Sequence, residues 1–164
     1  KPLVYFAVGS SGNRDLVLDV LRGLGRADCQ VLAPVRSHLH QEDLETLPHN
    51  IHVTDWIPTH QLGDAVDLAI THGGEGTVQT SCVQGWPFIG IPLQLEQRFN
   101  VQRCVAFGSA RLVSQKEARR ADWAALVREA LADDVMRSRA RRVAELMKGL
   151  DGPGQAAEAI CKLL

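Results

Sequence analysis

The residues in this chain best suited to chemistry are His72-Gly73-Gly74-Glu75-Gly76-Thr77. A short, mostly apolar run, Val66 to Thr71, precedes them and reads as a strand, and Thr77 to Gln84 reads as a helix. Glycines between a strand and a helix let the backbone approach a ligand closely. Free N–H groups at the helix start then meet that ligand with the positive end of the helix dipole. A phosphate or diphosphate suits such a place, and His72 and Thr77 add side-chain donors to it. A tight turn without a ligand is the plainer reading, but three glycines with His and Thr exceed what a turn needs. A lipase-type oxyanion loop can also carry His-Gly-Gly, yet the chain has no G-x-S-x-G nucleophile elbow.

Three further loops carry distinctive residues. Gly9-Ser10-Ser11-Gly12-Asn13 is neither G-x-G-x-x-G nor a P-loop, and alone it reads equally as a polar helix cap. Beside a diphosphate, Ser10 and Ser11 become phosphate or sugar contacts. Trp56, in Asp55-Trp56-Ile57-Pro58, is either a core residue or a flat face for a nucleobase, with Ile57 offering its backbone to the base edge. Glu96-Gln97 follows Ile91-Pro92-Leu93; a carboxylate beside an amide suits paired sugar hydroxyls, and solvated loop residues are the alternative. The run Arg137, Arg139, Arg141, Arg142 interleaves with apolar residues at helical spacing and reads as a solvated helix face. His38, His40, His49, His52 and His60 show no H-E-x-x-H or other metal-ligand spacing and read as surface or loop residues.

The elements that must position these loops alternate along the chain. Strands are expected at Leu3–Val8, Gln30–Ala33, Ile51–Val53, Asp67–Thr71, Phe88–Ile91 and Ala110–Val113. Helical spacing joins Leu16, Val17, Val20, Leu21 and Leu24, and predicts further helices at Glu42–Leu47, Gln97–Phe107, Asp122–Ala132, Asp134–Lys148 and Gly154–Leu163. His60 to Ala65 forms one or two helical turns. Gly85, followed by Pro87, ends the helix after the glycine motif. Six strands alternating with helices call for an α/β fold, a parallel sheet covered on both faces. Ligands bind beyond the carboxyl ends of such strands, so the loops at 9–13, 55–58, 72–77 and 92–97 should meet at one edge.

The bulk numbers narrow the classes. With 164 residues the chain suffices for one domain, and 45% hydrophobic with 23% charged residues is ordinary for a globular protein. Eighteen basic against 19 acidic residues give a net charge of −1, which argues against a nucleic-acid partner. Cys29, Cys82, Cys104 and Cys161 have no C-x-x-C spacing, so neither zinc nor a thioredoxin motif is indicated; isolated apolar thiols fit a reducing compartment. No apolar run approaches the ~20 residues of a membrane span and no signal peptide is visible, so a cytoplasmic location is expected. Lys1-Pro2 leads almost at once into a strand, which suggests a domain of something larger.

Together these loops resemble the C-terminal half of a GT-B fold glycosyltransferase. The likeness is closest to the bacterial enzymes that decorate macrolides and other natural products, which are related to plant UDP-sugar transferases. It runs from Leu3 to about Leu163 and rests on Val4-Tyr5-Phe6-Ala7-Val8-Gly9-Ser10-Ser11, Asp55-Trp56-Ile57-Pro58, Thr71 to Thr77, Gly85-Trp86-Pro87 and Ile91-Pro92-Leu93 with Glu96, Gln97 and Asn100. The resemblance implies a Rossmann-like, six-stranded parallel sheet with helices on both faces, residues 1–164 forming a nucleotide-sugar donor-binding domain. It implies inverting transfer of a hexose from a nucleotide diphosphate to a natural-product acceptor hydroxyl. His72, Gly73, Gly74, Gly76 and Thr77 would hold the diphosphate, with Ser10 and Ser11 near the phosphates. Trp56 and Ile57 would receive the base, and Glu96 and Gln97 the donor sugar. No cofactor and no metal are implied, the nucleotide sugar being a substrate.

The general base would lie on an N-terminal acceptor domain, in the same or a separate chain, together with the small-molecule acceptor's pocket. No catalytic residue is therefore assigned here, and the domain alone is expected to be inactive. The plant relatives carry a Glu eight residues after the motif His, where this chain has Thr80. Threonine cannot clamp two ribose hydroxyls, which favours TDP over UDP unless Gln79 substitutes. Trp86 stands where the family commonly has a smaller residue. Two other readings share the fold: half of a non-hydrolysing sugar-nucleotide epimerase, and a non-catalytic partner in a split transferase.

Overall fold

Alternate residues of strand β1 (Leu3–Ala7) enter different cores. Val4 and Phe6, continued by Val8, face one layer, while Tyr5 and Ala7 face the other. A strand buried on both faces must lie inside a sheet covered twice, and β1 does. The computed structural model describes residues 1–163. Five more strands, β2 (Gln30–Ala33), β3 (Ile51–Val53), β4 (Leu68–Thr71), β5 (Phe88–Gly90) and β6 (Ala110–Leu112), complete one sheet in the order β3-β2-β1-β4-β5-β6. Every pairing is parallel, with Val4 opposite Leu68 and Ala7 opposite Thr71 at the centre.

Helix α1 (Arg14–Leu24) covers the first face with Leu16, Val17, Val20, Leu21 and Leu24, all buried. The short helices α2 (Gln41–Leu44) and α5 (Gln115–Ala118) and the longer α6 (Trp123–Leu131) lie along the same chain order. Ala118, Trp123, Val127 and Ala130 complete that layer. Trp123 fits against α1 because residue 23 is glycine: a Cβ there would lie 2.4 Å from the indole. The second face is covered by α3 (Glu75–Gln84) and α4 (Leu95–Phe107), with Trp86 and Val101 in its core and α7 (Asp134–Met147) packed on α3. Helix α8 (Gly152–Cys161) follows, with Pro153 in its first turn and no buried residue.

Several boundaries differ from the expected ones for local reasons. Helix α3 begins at Glu75 rather than Thr77 because Gly74, extended at φ −61° and ψ 148°, is its N-cap. Helix α4 begins at Leu95 rather than Gln97, and α8 at Gly152 rather than Gly154. The 9–13 loop contains a 3-10 turn, Gly9–Ser11, and His60–Ala65 resolves into two such turns, Thr59–Gln61 and Gly63–Ala65. Helix α5 and a 3-10 turn at Arg36–His38 were not expected. Among the described residues no helix is long and apolar enough to cross a membrane.

Candidate functional site

The chain leaves β1 toward β2 on one side and β4 toward β5 on the other. Beyond the ends of these two central neighbours the sheet therefore has a crevice, the switch point at which α/β sheets take ligands. The His72 backbone N–H donates to the Ala7 carbonyl at 3.2 Å, which ties the two strand-end loops together. Gly73 then adopts φ +83°, a left-handed conformation that redirects the chain, and Gly74 opens α3. The Thr77 and Val78 N–H groups return to the Gly74 carbonyl at 3.1 and 3.0 Å. Those of Gly74, Glu75 and Gly76 have no acceptor among the described residues, and no side chain caps the helix. Three unpaired donors at a helix start are what an anion requires.

His72 is the group set against them. Its side chain lies between two glycines: a Cβ at Gly9 would come within 2.8 Å of the imidazole, and one at Gly74 within 2.4 Å. The residue is buried and its Nδ1 has no hydrogen-bond partner. Burial pushes the imidazole pKa below its ordinary value, with the Ala7 carbonyl and Glu96 opposing in part. The ring is accordingly neutral near neutrality, with one N–H to give. Thr77 is less free. Its hydroxyl accepts from Thr71 Oγ1 at 2.7 Å and donates to the Gly74 carbonyl at 2.9 Å, while Thr71 also accepts from the Gly73 N–H at 3.3 Å.

The structure brings Ser10, His72, Gly74, Gly76 and Thr77 together around a cleft of about 390 Å³. Tyr5, Gly9, Thr59, Glu75 and Thr80 complete its lining. Gly73 is buried and does not line it. Trp56, 79% exposed, and Ile57 do not line it, although Thr59 in the same segment does. Glu96 and Gln97 stand at the same sheet edge but outside the cleft. The exposed Glu96 carboxylate accepts from Asn100 Nδ2. Gln97 is 3% exposed and its amide is already engaged: Oε1 accepts from the Leu93 and Gln94 N–H groups at 2.9 and 3.1 Å, and Nε2 donates to Ser11 Oγ at 3.2 Å. Ser11 therefore points at α4.

Some supporting contacts involve residues to which the sequence assigned no role. His38 lies in the turn after β2, and its Nε2 bonds the Gly9 carbonyl at 2.7 Å, which holds the glycine turn at φ +54°. Nothing in its spacing marks it; the contact exists because β2 lies beside β1. Asn100 donates to the Gly73 carbonyl at 3.1 Å, and its place four residues after Glu96 on a helix was the available signal. Trp86 is a core residue, with Nε1 donating to the Gly63 carbonyl at 2.8 Å and its ring 5.7 Å from that of Tyr5. Burial pushes the Tyr5 pKa up to about 12, so the phenol beside the cleft stays neutral. Among the described residues no group of three or more His, Cys, Asp or Glu side chains is placed to hold a metal ion.

Comparison with known proteins identifies the family and the fold. Residues 18–163 match the family described as erythromycin biosynthesis protein CIII-like, C-terminal domain. The PGL/p-HBAD biosynthesis glycosyltransferase of Mycobacterium tuberculosis is 29% identical over 145 residues, covering 88% of this chain and 33% of that protein. The oleandomycin glycosyltransferase of Streptomyces antibioticus is 34% identical over 122 residues, 72% of this chain and 27% of that protein. The chain thus spans about a third of the length of these relatives. The solved structure of glycosyltransferase VinC in complex with DTDP superposes with a TM-score of 0.80 at 19% identity, covering 99% of this chain and 41% of that one, which shows a shared fold. The chain belongs to the erythromycin biosynthesis protein CIII-like C-terminal domain family, the Rossmann-like C-terminal half of the GT-B glycosyltransferases.

Proposed function

We propose that this domain holds the nucleotide-diphosphate sugar for an inverting glycosyltransferase and takes TDP-sugars in preference to UDP-sugars. The observation that carries the reading is the uncapped start of α3, with three unpaired N–H groups and His72 at the sheet's switch point. An acceptor hydroxyl attacks the anomeric carbon, the bond from that carbon to the β-phosphate oxygen breaks, and the nucleoside diphosphate leaves with the electron pair. Negative charge grows on the diphosphate in the transition state. Fixed N–H donors at Gly74–Gly76 and the helix dipole stabilise it there, the kind of preorganisation whose single donors are worth about 10²–10³ in rate. These groups do the electrostatic work that a divalent cation does elsewhere, so the reading needs no metal. The acceptor's proton goes to a base outside this chain, on an acceptor-binding half in the same or another polypeptide.

The remaining roles follow the cleft outward. Ser10 lies at the phosphate end with Gly9 and His72. The exposed Trp56 indole and the Ile57 backbone receive the base, which would cover an aromatic face now in solvent. Glu96 accepts from sugar hydroxyls. Thr80 lines the cleft with one hydroxyl oxygen, its proton donated to the Gly76 carbonyl at 2.8 Å, so it cannot clamp two ribose hydroxyls as the two oxygens of a carboxylate do. TDP, with one ribose hydroxyl fewer, loses nothing by this. The VinC relative was solved with DTDP, which is consistent with the preference.

Calorimetric titration of the chain with TDP and with UDP tests the reading. TDP binding tighter than UDP binding, and lost on His72→Ala, is the expected result; indifference to His72→Ala would place the nucleotide elsewhere. Thr80→Glu should raise UDP affinity relative to TDP by about tenfold, the worth of one charge-assisted hydrogen bond. An unchanged ratio would remove Thr80 from the account of specificity.

A further inference from the structure

The amide of Gln97 joins loops 86 residues apart in the sequence. Both lone pairs of Oε1 are taken by backbone donors, those of Leu93 and Gln94, and Nε2 reaches Ser11 Oγ in the turn that follows β1. Bonds to Leu93 and Gln94 alone would be an ordinary helix cap. The bond to Ser11 makes it a bridge between the Gly9–Ser11 turn, at the phosphate end of the cleft, and the start of α4, which carries Glu96. The next turn of α4 reinforces this arrangement. Asn100 Nδ2 donates to the Gly73 carbonyl, and a Cβ at Gly73 would lie 2.8 Å from the Gln97 carbonyl oxygen, so the glycine loop rests directly on α4.

A side chain that is 3% exposed, with both lone pairs of its acceptor filled and one Nε2–H given to Ser11, has a single N–H left for a ligand. We infer that Gln97 is a positioning residue, a lock that makes the 9–11 turn and the start of α4 one body, whatever its remaining N–H gives to a donor sugar. What the lock serves rests on the donor-binding reading above; the lock itself does not.

Amide hydrogen exchange on the ligand-free chain tests it. In Gln97→Ala, exchange at residues 9–12 and at Leu93 and Gln94 should accelerate about tenfold, the worth of one net hydrogen bond. Ser11→Ala, which spares the helix cap and decides the matter if Gln97→Ala does not fold, should accelerate residues 9–12 alone. Gln97→Glu should restore protection, since its carboxylate accepts from both backbone donors and from the Ser11 hydroxyl turned toward it. Calorimetry then separates positioning from sugar contact. Gln97→Ala should weaken TDP, which carries no sugar, as well as TDP-glucose, whereas Glu96→Ala should weaken only TDP-glucose.

Unchanged exchange at residues 9–12 in both alanine variants would overturn the lock, as would a Gln97→Ala loss confined to TDP-glucose. A wild-type chain that binds neither nucleotide would overturn the donor-binding reading, and the exchange result would still decide for or against the lock.

Discussion

Alanine at position 73 will destabilise the domain and remove nucleotide binding. Gly73 sits at φ +83°, where an L side chain costs about 1–2 kcal/mol. Its Cβ would also lie 2.5 Å from Val101 Cγ2 and 2.8 Å from the Gln97 carbonyl oxygen. The second contact is with helix backbone, which cannot swing aside, and overpacking of this kind costs about 1–3 kcal/mol. The sum, about 3 kcal/mol, is a large share of a domain's total stability. The urea midpoint should fall with the m-value unchanged. Binding should be lost with it, because the turn at Gly73 aims the N–H groups of Gly74, Glu75 and Gly76. Gly76→Ala is the informative contrast. No atom lies within 4 Å of a Cβ built there, and the residue is helical. Alanine should therefore raise stability by about 0.5–1 kcal/mol. It should nonetheless weaken TDP, since the new methyl stands at the cleft where the diphosphate must approach. A stable Gly73→Ala, or an undiminished affinity in Gly76→Ala, would show that the two glycines serve something other than this turn and this approach.

The contrast between these glycines shows how far the sequence could be read. That a ligand loop lay between a strand and a helix was legible, because buried apolar runs such as Leu68–Thr71 flank it and glycines interrupt it. The six strands were legible for the same reason, and α1 because Leu16, Val20 and Leu24 repeat along one face. The starts of α3 and α4 were not, because Gly74 and Gln94 set them through backbone conformation and capping, which leave no hydrophobic period. Three- and four-residue elements such as Arg36–His38 and Gln115–Ala118 are too short for a period at all. At the site, residue types were legible and their commitments were not. His38 holds Gly9 only because β2 neighbours β1, and Gln97 reaches Ser11 only because α4 starts beside that turn. Sequence spacing carries no record of such long-range pairs. Trp86, which had no account in the sequence, is explained by its bond to Gly63 and its packing on Tyr5.

Acidification will strengthen TDP binding to the wild-type chain relative to a His72→Gln variant. Burial depresses the His72 pKa in the free domain below its ordinary value of 6.5. A diphosphate beside the ring favours the imidazolium and raises that pKa again. Wherever the free domain is unprotonated and the complex protonated, binding takes up a proton, so affinity rises as pH falls. The gain should stop once the pH passes below the depressed pKa, where the free ring is charged as well. A nucleotide's terminal phosphate titrates near about pH 6 and works against this trend, but equally in both proteins, so the difference between them isolates the ring. Stability of the free domain must move the other way. Because the folded pKa lies below the unfolded one, the unfolded chain binds more protons in the window between them. The contribution of His72 is then complete above the unfolded value and is lost as pH falls toward the folded one. Melting curves from about pH 7.5 down to about pH 5.5 should thus slope downward more steeply in the wild type than in His72→Gln without nucleotide, and less steeply with TDP present. One ring can give both slopes only if it is buried when empty and beside a phosphate when full. Parallel curves for the two proteins would mean that His72 exchanges no proton on folding or on binding in this range, and would overturn this account.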